Sequence, residues 1–184
     1  MLVSCRHPSP KAREKEQARS REAPPKLADL KVGHDTVEDA ERRYGPGLVV
    51  TGAHAQGARL WRSRETGWYL YVDAFYYSKA GALIDQITVI TTATSDWRKA
   101  GIPWASLGAK QSSLFGSIRL GMSKAQILSV VKSEGIAARS VGNAIKWSEK
   151  CVVEVDESTP YDTLTVELDF DKEKRLDAIA VGLE

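Results

Sequence analysis

The spacing of apolar residues changes from a helical period to a strand period twice along the chain. Apolar positions three to four residues apart place their side chains on one face of a helix, so the sequence predicts two amphipathic helices. Their apolar faces consist of Val37, Ala40 and Tyr44 in the first, and Ala125, Ile127, Leu128 and Val131 in the second. Gly45-Pro46-Gly47 is expected to end the first helix, and Gly135 to lie near the end of the second.

An alternation of apolar and polar residues follows each helix and predicts four strands after each. The first set is expected near Gly47–Ala53, Ala58–Arg64, Trp68–Tyr77 and Ile84–Thr91, and the second near Ala144–Trp147, Cys151–Val155, Leu164–Phe170 and Leu176–Val181. The last hairpin of each set shares a pattern. Phe75 and Tyr77 before one loop correspond to Leu168 and Phe170 before the other, at an offset of 93. The strands after the two loops correspond at an offset of 92.

The segment Leu30–Glu38 returns 88 positions later as Ile118–Gln126. Each copy reads apolar, basic, apolar, Gly, any residue, Asp or Ser, two residues, Glu or Gln. In each copy the Asp or Ser lies three residues before the Glu or Gln, which is the spacing of a helix capping box. We therefore expect Asp35 with Glu38 to begin the first helix, and Ser123 with Gln126 to begin the second. An internal repeat is stronger evidence about the fold than any single residue.

The repeat predicts an α+β fold made of two tandem units, each a helix packed on an antiparallel β-meander sheet. We expect a flexible N-terminal tether at residues 1–28, a first unit at 29–92, a linker at 93–116 and a second unit at 117–184. The linker contains Trp97 and Trp104, so we expect it to pack across the units.

The run Gly121–Leu128, Gly-Met-Ser-Lys-Ala-Gln-Ile-Leu, followed by a β-meander, resembles the repeat of beta-lactamase inhibitor proteins. It is also similar to the related single-unit SmpA/OmlA envelope lipoproteins. The resemblance covers both units and is strongest in the second. It implies protein binding or envelope assembly as the function. The chain departs from the inhibitors in having no cysteine pair for a disulfide within a unit, and His34 stands where the motif usually has Met.

The net charge of +2 is unevenly distributed. Residues 1–26 contain seven Lys or Arg and three Glu, a net charge of +4, which leaves −2 for the rest of the chain. We interpret the basic segment as a solvated tether and expect no nucleic-acid partner. The alternative is an electrostatic contact with anionic lipid or nucleic acid.

Leu2-Val3-Ser4-Cys5 resembles the lipobox of bacterial lipoproteins, in which the Cys becomes lipidated. The Pro-rich, charged segment after it is typical of a poorly ordered tether. We therefore expect lipid attachment at Cys5 and a periplasmic, membrane-anchored protein, with a signal peptide upstream of Met1. If Met1 is the true start, we expect a cytoplasmic protein. The second cysteine, Cys151, is expected to be a buried thiol in a strand.

The sequence indicates no catalytic residue, no metal ligand and no cofactor. His7, His34 and His54 have no second ligand or nucleophile at a useful spacing, and His34 is interpreted as a turn residue. The acidic residues Glu154, Asp156, Glu157, Asp169 and Asp171 are interpreted as solvated strand ends. No Gly-rich loop leads from a strand into a helix, so nucleotide binding has no physical basis.

The richest segment for recognition is the aromatic strand Trp68–Tyr77. Because Phe75 and Tyr77 match apolar positions of the second unit, we expect their face, with Tyr69, Tyr71 and Asp73, to meet the helix. The opposite face then presents Trp61, Trp68 and Tyr76 as a partner-binding surface, since Trp and Tyr are enriched in binding hot spots. The alternative is that these side chains cover the linker or the other unit.

The sequence thus predicts a non-enzymatic protein-binding module of the bacterial cell envelope. Its expected partner is another envelope protein, and its expected anchor is Cys5. The alternative is a small-ligand or lipid-binding protein with a pocket between the two repeats.

Overall fold

A computed structural model describes residues 25–50, 57–78, 81–93, 97, 100–153 and 161–184. These residues form one largely antiparallel sheet with two helices of two turns or more. The side chains of residues 75–78, 151–153 and 161–162 lie outside that description. The expected α+β class is confirmed. The helices are α1 (Val37–Tyr44) and α2 (Lys124–Ser133). The strands are β1 (Leu48–Val49), β2 (Arg59–Ser63), β3 (Tyr69–Ser78), β4 (Gly81–Ile90), β5 (Trp104–Ala105), β6 (Arg139–Val141), β7 (Ala144–Val153), β8 (Tyr161–Phe170) and β9 (Leu176–Leu183).

The strand order across the sheet is β1-β2-β3-β4-β9-β8-β7-β6, and neighbours along this path are antiparallel. The short strand β5 pairs in parallel with β2. Two four-stranded meanders therefore meet where β4 pairs with β9. Thr88 lies opposite Ala180 in this pairing, between Gln86 opposite Gly182 and Ile90 opposite Ala178.

Both helices cover the same face of the sheet and share one hydrophobic core. The buried side chains of α1 are Val37, Ala40 and Tyr44, as the helical spacing predicts. Those of α2 are Ile127 and Val131, whereas Ala125 and Leu128, which were expected on the same apolar face, are exposed. Alternate residues of the long strands complete the core. Leu27 and Ala28, which were assigned to the tether, are also fully buried in it. The packed body thus begins before residue 29.

The caps of the two helices bear out one sequence prediction and correct the other. Ser123 and Gln126 form the expected capping box on α2. On α1 the box is formed by Thr36 and Asp39, and the expectation of Asp35 with Glu38 is wrong. The reason is that a carboxylate oxygen of Asp35 already accepts a hydrogen bond from the Lys31 backbone N–H, at 2.8 Å.

The turn before each helix is held to a strand by a backbone hydrogen bond. For α1 this strand is β4, and for α2 it is β9. Gly33 donates its N–H to the carbonyl of Ile84 at 2.7 Å, and Gly121 donates to Leu176 at 2.8 Å. Both glycines have positive φ, +70° and +84°, a conformation that favours Gly. The bridge between Thr36 and Leu83 corresponds to the one between Ser123 and Arg175.

The strand boundaries differ from the sequence prediction in the second half. Ala144–Trp147 and Cys151–Val155 were expected as separate strands, but Ala144–Val153 is the single strand β7. Glu154 and Val155 lie outside the described residues. The strands β5 and β6 were not predicted, because two or three residues are too short to show an alternation.

The faces of β3 are the reverse of the prediction. Leu70, Val72 and Ala74 point into the core, while Tyr69 and Tyr71 lie on the outer face. Ala74 pairs with Ile84, and Phe170 pairs with Leu176, so Ala74 and Phe170 occupy corresponding positions. Their offset is 96, and the sequence match used 93. An odd error in register exchanges the two faces of a strand.

Candidate functional site

The outer face of the first meander carries a second, smaller hydrophobic cluster. Leu60, Tyr69 and Ala93 are buried in it, and the half-buried Trp97 and Ile102 pack against them. The latter two belong to the predicted linker that leads out of β4, and they pack on the first meander. The expectation that the linker packs across the two units stays a prediction. The cluster supports the aromatic side chains on this face.

Trp104 is the exposed end of a stack of flat side chains. Its side chain is 49% exposed, and the guanidinium carbon of Arg62 lies 4.7 Å from its ring centroid. The same guanidinium lies 5.5 Å from the ring centroid of Tyr69. A cation over an aromatic ring contributes about 0.5–2 kcal/mol, so Arg62 holds Trp104 in place while one face of the indole stays available.

The stack continues through Trp97. Its ring centroid lies 6.4 Å from that of Tyr69 and 5.8 Å from that of Tyr71, with an interplanar angle of 19° in the second pair. The Tyr71 hydroxyl donates to Asp73 at 2.9 Å. Burial, followed by this hydrogen bond, raises the pKa of Tyr71 well above its ordinary value. We call Trp104, Arg62, Tyr69, Trp97 and Tyr71 the aromatic–arginine stack.

Backbone pairing fixes the exposed end of the stack. Arg62 lies opposite Trp104 in the parallel pairing of β2 with β5, and its N–H donates to the Pro103 carbonyl at 2.9 Å. The buried hydroxyl of Ser63 donates to the Leu107 carbonyl at 2.6 Å. These bonds secure the chain on both sides of Trp104, so the indole is presented by a rigid support.

Within the described residues, the Nε of Arg62 is buried and has no hydrogen-bond partner. A buried donor without a partner costs about 1–3 kcal/mol. Stacking between two aromatic rings offsets part of that cost. The chemistry of the stack suits recognition of another molecule by flat contacts and hydrogen bonding.

An acidic groove of about 340 Å³ adjoins the stack on the same face of the sheet. Four carboxylates line it, from Asp73, Asp85, Glu167 and Glu184, and its floor includes the small residues Ala180 and Gly182. Among the described residues no Lys or Arg lines the groove, but the ammonium group of Lys146 pairs with the carboxylate of Glu167 at 2.5 Å. Asp73 connects the groove to the stack through its bond from Tyr71.

Two further carboxyls in the second half of the sheet, those of Asp169 and Asp177, have pKa values above the ordinary one. Burial is the main cause for Asp169, and the charge of Glu167 adds to it while Lys146 opposes it. Burial is also the main cause for Asp177, and Asp171 adds to it. Burial and the neighbouring carboxylates thus disfavour the ionised forms of both groups.

The three predicted partner-binding residues do not form one exposed surface. Trp61 was expected on the outer face, but it is fully buried, stacks edge-on against Tyr44 at 6.1 Å and donates to the Gly45 carbonyl at 2.9 Å. Its placement was wrong because the face assignment of β3 was reversed. Trp68 is half-buried against the main core.

Tyr76 pairs with Leu83 through its backbone, and its side chain lies outside the described residues. Cys5 also lies outside them.

Sequence reasoning missed Arg62, which became significant only once β2 was aligned with β5. Trp104 was noted as part of a packed linker and not as a binding residue. The available signal was the alternation in β2, where Leu60 and Arg62 share a face opposite to Trp61.

The histidine and acidic residues give no sign of a metal centre in the part of the chain that is described. His34 lies in an exposed turn with its Nδ1 2.9 Å from Asp35, in agreement with its interpretation as a turn residue. The described ranges contain no group of three or more His, Cys, Asp or Glu arranged to hold a metal ion. His7, His54, Glu154, Asp156 and Glu157 lie outside these ranges. No helix within them is long and apolar enough to cross a membrane.

No protein-family model matches the chain, and no curated protein matches it. Among solved structures, the chain is similar to a DUF4309 family protein, YjgB, from Bacillus subtilis subsp. subtilis str. 168. The identity is 12%, the match covers 84% of this chain and 82% of that one, and the TM-score is 0.43. A likeness this distant supports no transfer of function.

Proposed function

We propose that the protein is a non-enzymatic protein-binding module whose contact surface is centred on the aromatic–arginine stack. The observation that carries the proposal is the half-exposed Trp104 held by Arg62 on the outer face of the sheet. Trp, Tyr and Arg are the residues most enriched in binding hot spots. A rigid support lowers the entropy lost when such a residue is buried by a partner.

The scaffold of this module is proposed to be two copies of one helix-plus-meander unit. Thr88 and Ala180 face each other in the β4–β9 pairing and are also separated by the offset of 92 that relates the two units. A two-fold axis through this pair would exchange the units, as in a symmetric dimer interface. The matching contacts of Gly33 and Gly121 support the same relationship. This arrangement is also what the resemblance to beta-lactamase inhibitor proteins and SmpA/OmlA lipoproteins implies.

The partner is proposed to present an apolar or aromatic side chain to Trp104 and basic side chains to the acidic groove. Lys146 pairs with Glu167, and the acidic lining of the groove as a whole still favours a partner of positive charge there. Charge complementarity of this kind speeds association and is weakened by salt.

The test is an affinity capture of partners from envelope extract with the wild-type protein, Trp104→Ala and Arg62→Lys. The Lys variant keeps the charge but loses the planar group that stacks on Trp104. Leu128→Ala is the matched control, because Leu128 is 44% exposed on α2 and lies away from the stack. We expect both stack variants to lose the partner and the control to retain it. A partner list that is the same for all four proteins would contradict the proposal.

Envelope attachment through Cys5 is a separate proposal that rests on the lipobox-like sequence. Metabolic labelling with a radioactive fatty acid tests it in cells that express the gene with its natural upstream region. We expect label on the wild type and on Cys151→Ser, and none on Cys5→Ser. Equal labelling of wild type and Cys5→Ser, or no labelling of the wild type, would remove the anchor from the account.

A further inference from the structure

Two tight turns, one before each helix, meet beside a cavity of about 510 Å³. The first turn is closed by hydrogen bonds between Leu27 and Leu30, and the second by hydrogen bonds between Leu114 and Ile118. The Ala28 N–H donates to the Gln111 carbonyl at 2.8 Å and joins the two segments. The cavity is therefore built from the segment that precedes α1 and the segment that precedes α2.

The lining of the cavity carries a net positive charge. Lys26 and Lys110 contribute two ammonium groups, and Asp29 contributes one carboxylate. That carboxylate accepts a hydrogen bond from the side-chain amide of Gln111 at 3.1 Å. A ligand with one negative charge would balance the remaining ammonium group.

Phe115 supplies a flat apolar surface to the same cavity. Its side chain is 42% exposed, and its ring centroid lies 6.2 Å from that of Trp147 at an interplanar angle of 26°. Its φ of +53° is a left-handed conformation that a bulky residue rarely adopts. An exposed aromatic ring in a strained backbone is a combination that is associated with binding sites.

Two buried polar atoms beside this turn have no hydrogen-bond partner within the described residues. They are the Nε1 of Trp147, whose side chain is 5% exposed, and the Oγ of Ser117. Trp147 stacks on Phe115, and Ser117 directly follows Gly116, which lines the cavity. Neither residue lines the cavity, and each adjoins it through a residue that does.

We infer that this cavity binds a small aromatic carboxylate. The ligand's ring stacks on Phe115, and its carboxylate lies between the ammonium groups of Lys26 and Lys110. This site is separate from the aromatic–arginine stack, so its test does not depend on whether the proposed protein binding is correct.

The probes are naphthoate, the uncharged naphthamide and acetate, added to the full chain and followed by two-dimensional NMR. The amide of Gly116, which lines the cavity, reports on the site directly, and the indole N–H of Trp147 reports on it through the ring of Phe115. We expect naphthoate to shift both signals in a saturable manner, naphthamide to bind at least tenfold more weakly, and acetate to give no saturable shift in the same range. Equal binding of naphthoate and naphthamide, or no saturable shift with naphthoate, would overturn the inference.

Substitutions of the lining residues test whether naphthoate binds in this cavity. We expect Lys110→Gln to weaken naphthoate at least tenfold and Phe115→Gly, which also relieves the positive φ, to abolish saturable binding. The exposed Lys172 is the matched control, and Lys172→Gln is expected to bind as the wild type does. The amide spectrum of each variant shows whether it is folded, and Phe115→Leu provides an apolar side chain without a ring if the Gly variant unfolds. Unchanged affinity in the folded Lys110 and Phe115 variants would contradict the assignment.

Discussion

The Tyr44 hydroxyl donates a hydrogen bond to the carbonyl of Ala28 inside the core. Tyr44 is the last residue of α1, and Ala28 has a φ of +55°, which is an unfavourable conformation for Ala. The bond therefore joins the end of the first helix to the strained turn that begins the packed body. Arg43 strengthens the same connection by donating to the Asp29 carbonyl.

Replacing Tyr44 with Phe is expected to destabilise the protein by about 1–2 kcal/mol, because a buried carbonyl loses its partner. Burial raises the pKa of Tyr44 to about 12, from an ordinary value of 10.0. The folded state then holds this proton more tightly than the unfolded state. The contribution of the protonated Tyr44 hydroxyl to the free energy of unfolding is complete below about pH 10, and it is lost as the pH rises from about 10 to about 12. Urea denaturation of wild type and Tyr44→Phe should show the difference shrinking across that range, and a constant difference would contradict the assignment.

The caps of the two helices are expected to make similar contributions to stability. Thr36→Ala and Ser123→Ala should each lower the free energy of unfolding by about 1 kcal/mol, since each removes a side-chain oxygen that accepts from the third residue of its helix. Thr36→Ser keeps this oxygen and should retain most of the stability. Glu38 was expected to form a capping box with Asp35 and does not. Glu38→Gln should therefore change the free energy of unfolding by less than about 0.5 kcal/mol. A larger loss for Glu38→Gln than for Thr36→Ala would reverse the assignment of the cap.

Asp169→Asn is expected to stabilise the protein slightly at neutral pH. Burial and the charge of Glu167 raise the pKa of Asp169, so its ionised form is disfavoured in the folded state. The gain should be below about 1 kcal/mol, because the carboxyl remains partly solvated and the variant also loses the attraction of Lys146. It should disappear as the pH falls through the folded pKa, because the wild-type carboxyl is then protonated too.

Thermal denaturation at neutral and acidic pH measures this effect, with the exposed Glu173→Gln as a control of similar charge change. A variant that is less stable than the wild type at neutral pH, or a gain that grows as the pH is lowered, would show that the carboxylate is stabilising.

Elements with strong local signals could be predicted from the sequence. The spacing of Ser123 and Gln126 identified the start of α2, because no competing polar residue stands beside Ser123 in a cap-forming position. At α1 both Asp35 and Thr36 can cap a helix, and the choice depends on the bond from Lys31 to Asp35, which is visible only in the fold.

The proposed binding surface could not be predicted because it depends on register across the sheet. Register shifts lie next to Ala74 and Phe170, and they omit Asp85 and Asp177 from the pairing. The sequence match ignored these irregularities and so assigned Tyr69 and Tyr71 to the wrong face. The parallel pairing of Trp104 with Arg62 joins residues 42 positions apart, and no local pattern of the chain indicates it.

The most direct test of the account is site-specific photo-crosslinking in living cells, with a photoreactive amino acid placed at position 104 and, as a control of similar exposure, at position 128. The account predicts a crosslink to a distinct protein from position 104, its loss when Arg62→Lys is added, and no such crosslink from position 128. No crosslink from position 104, or the same products from both positions, would contradict the claim that Trp104 is at the centre of a protein-binding surface.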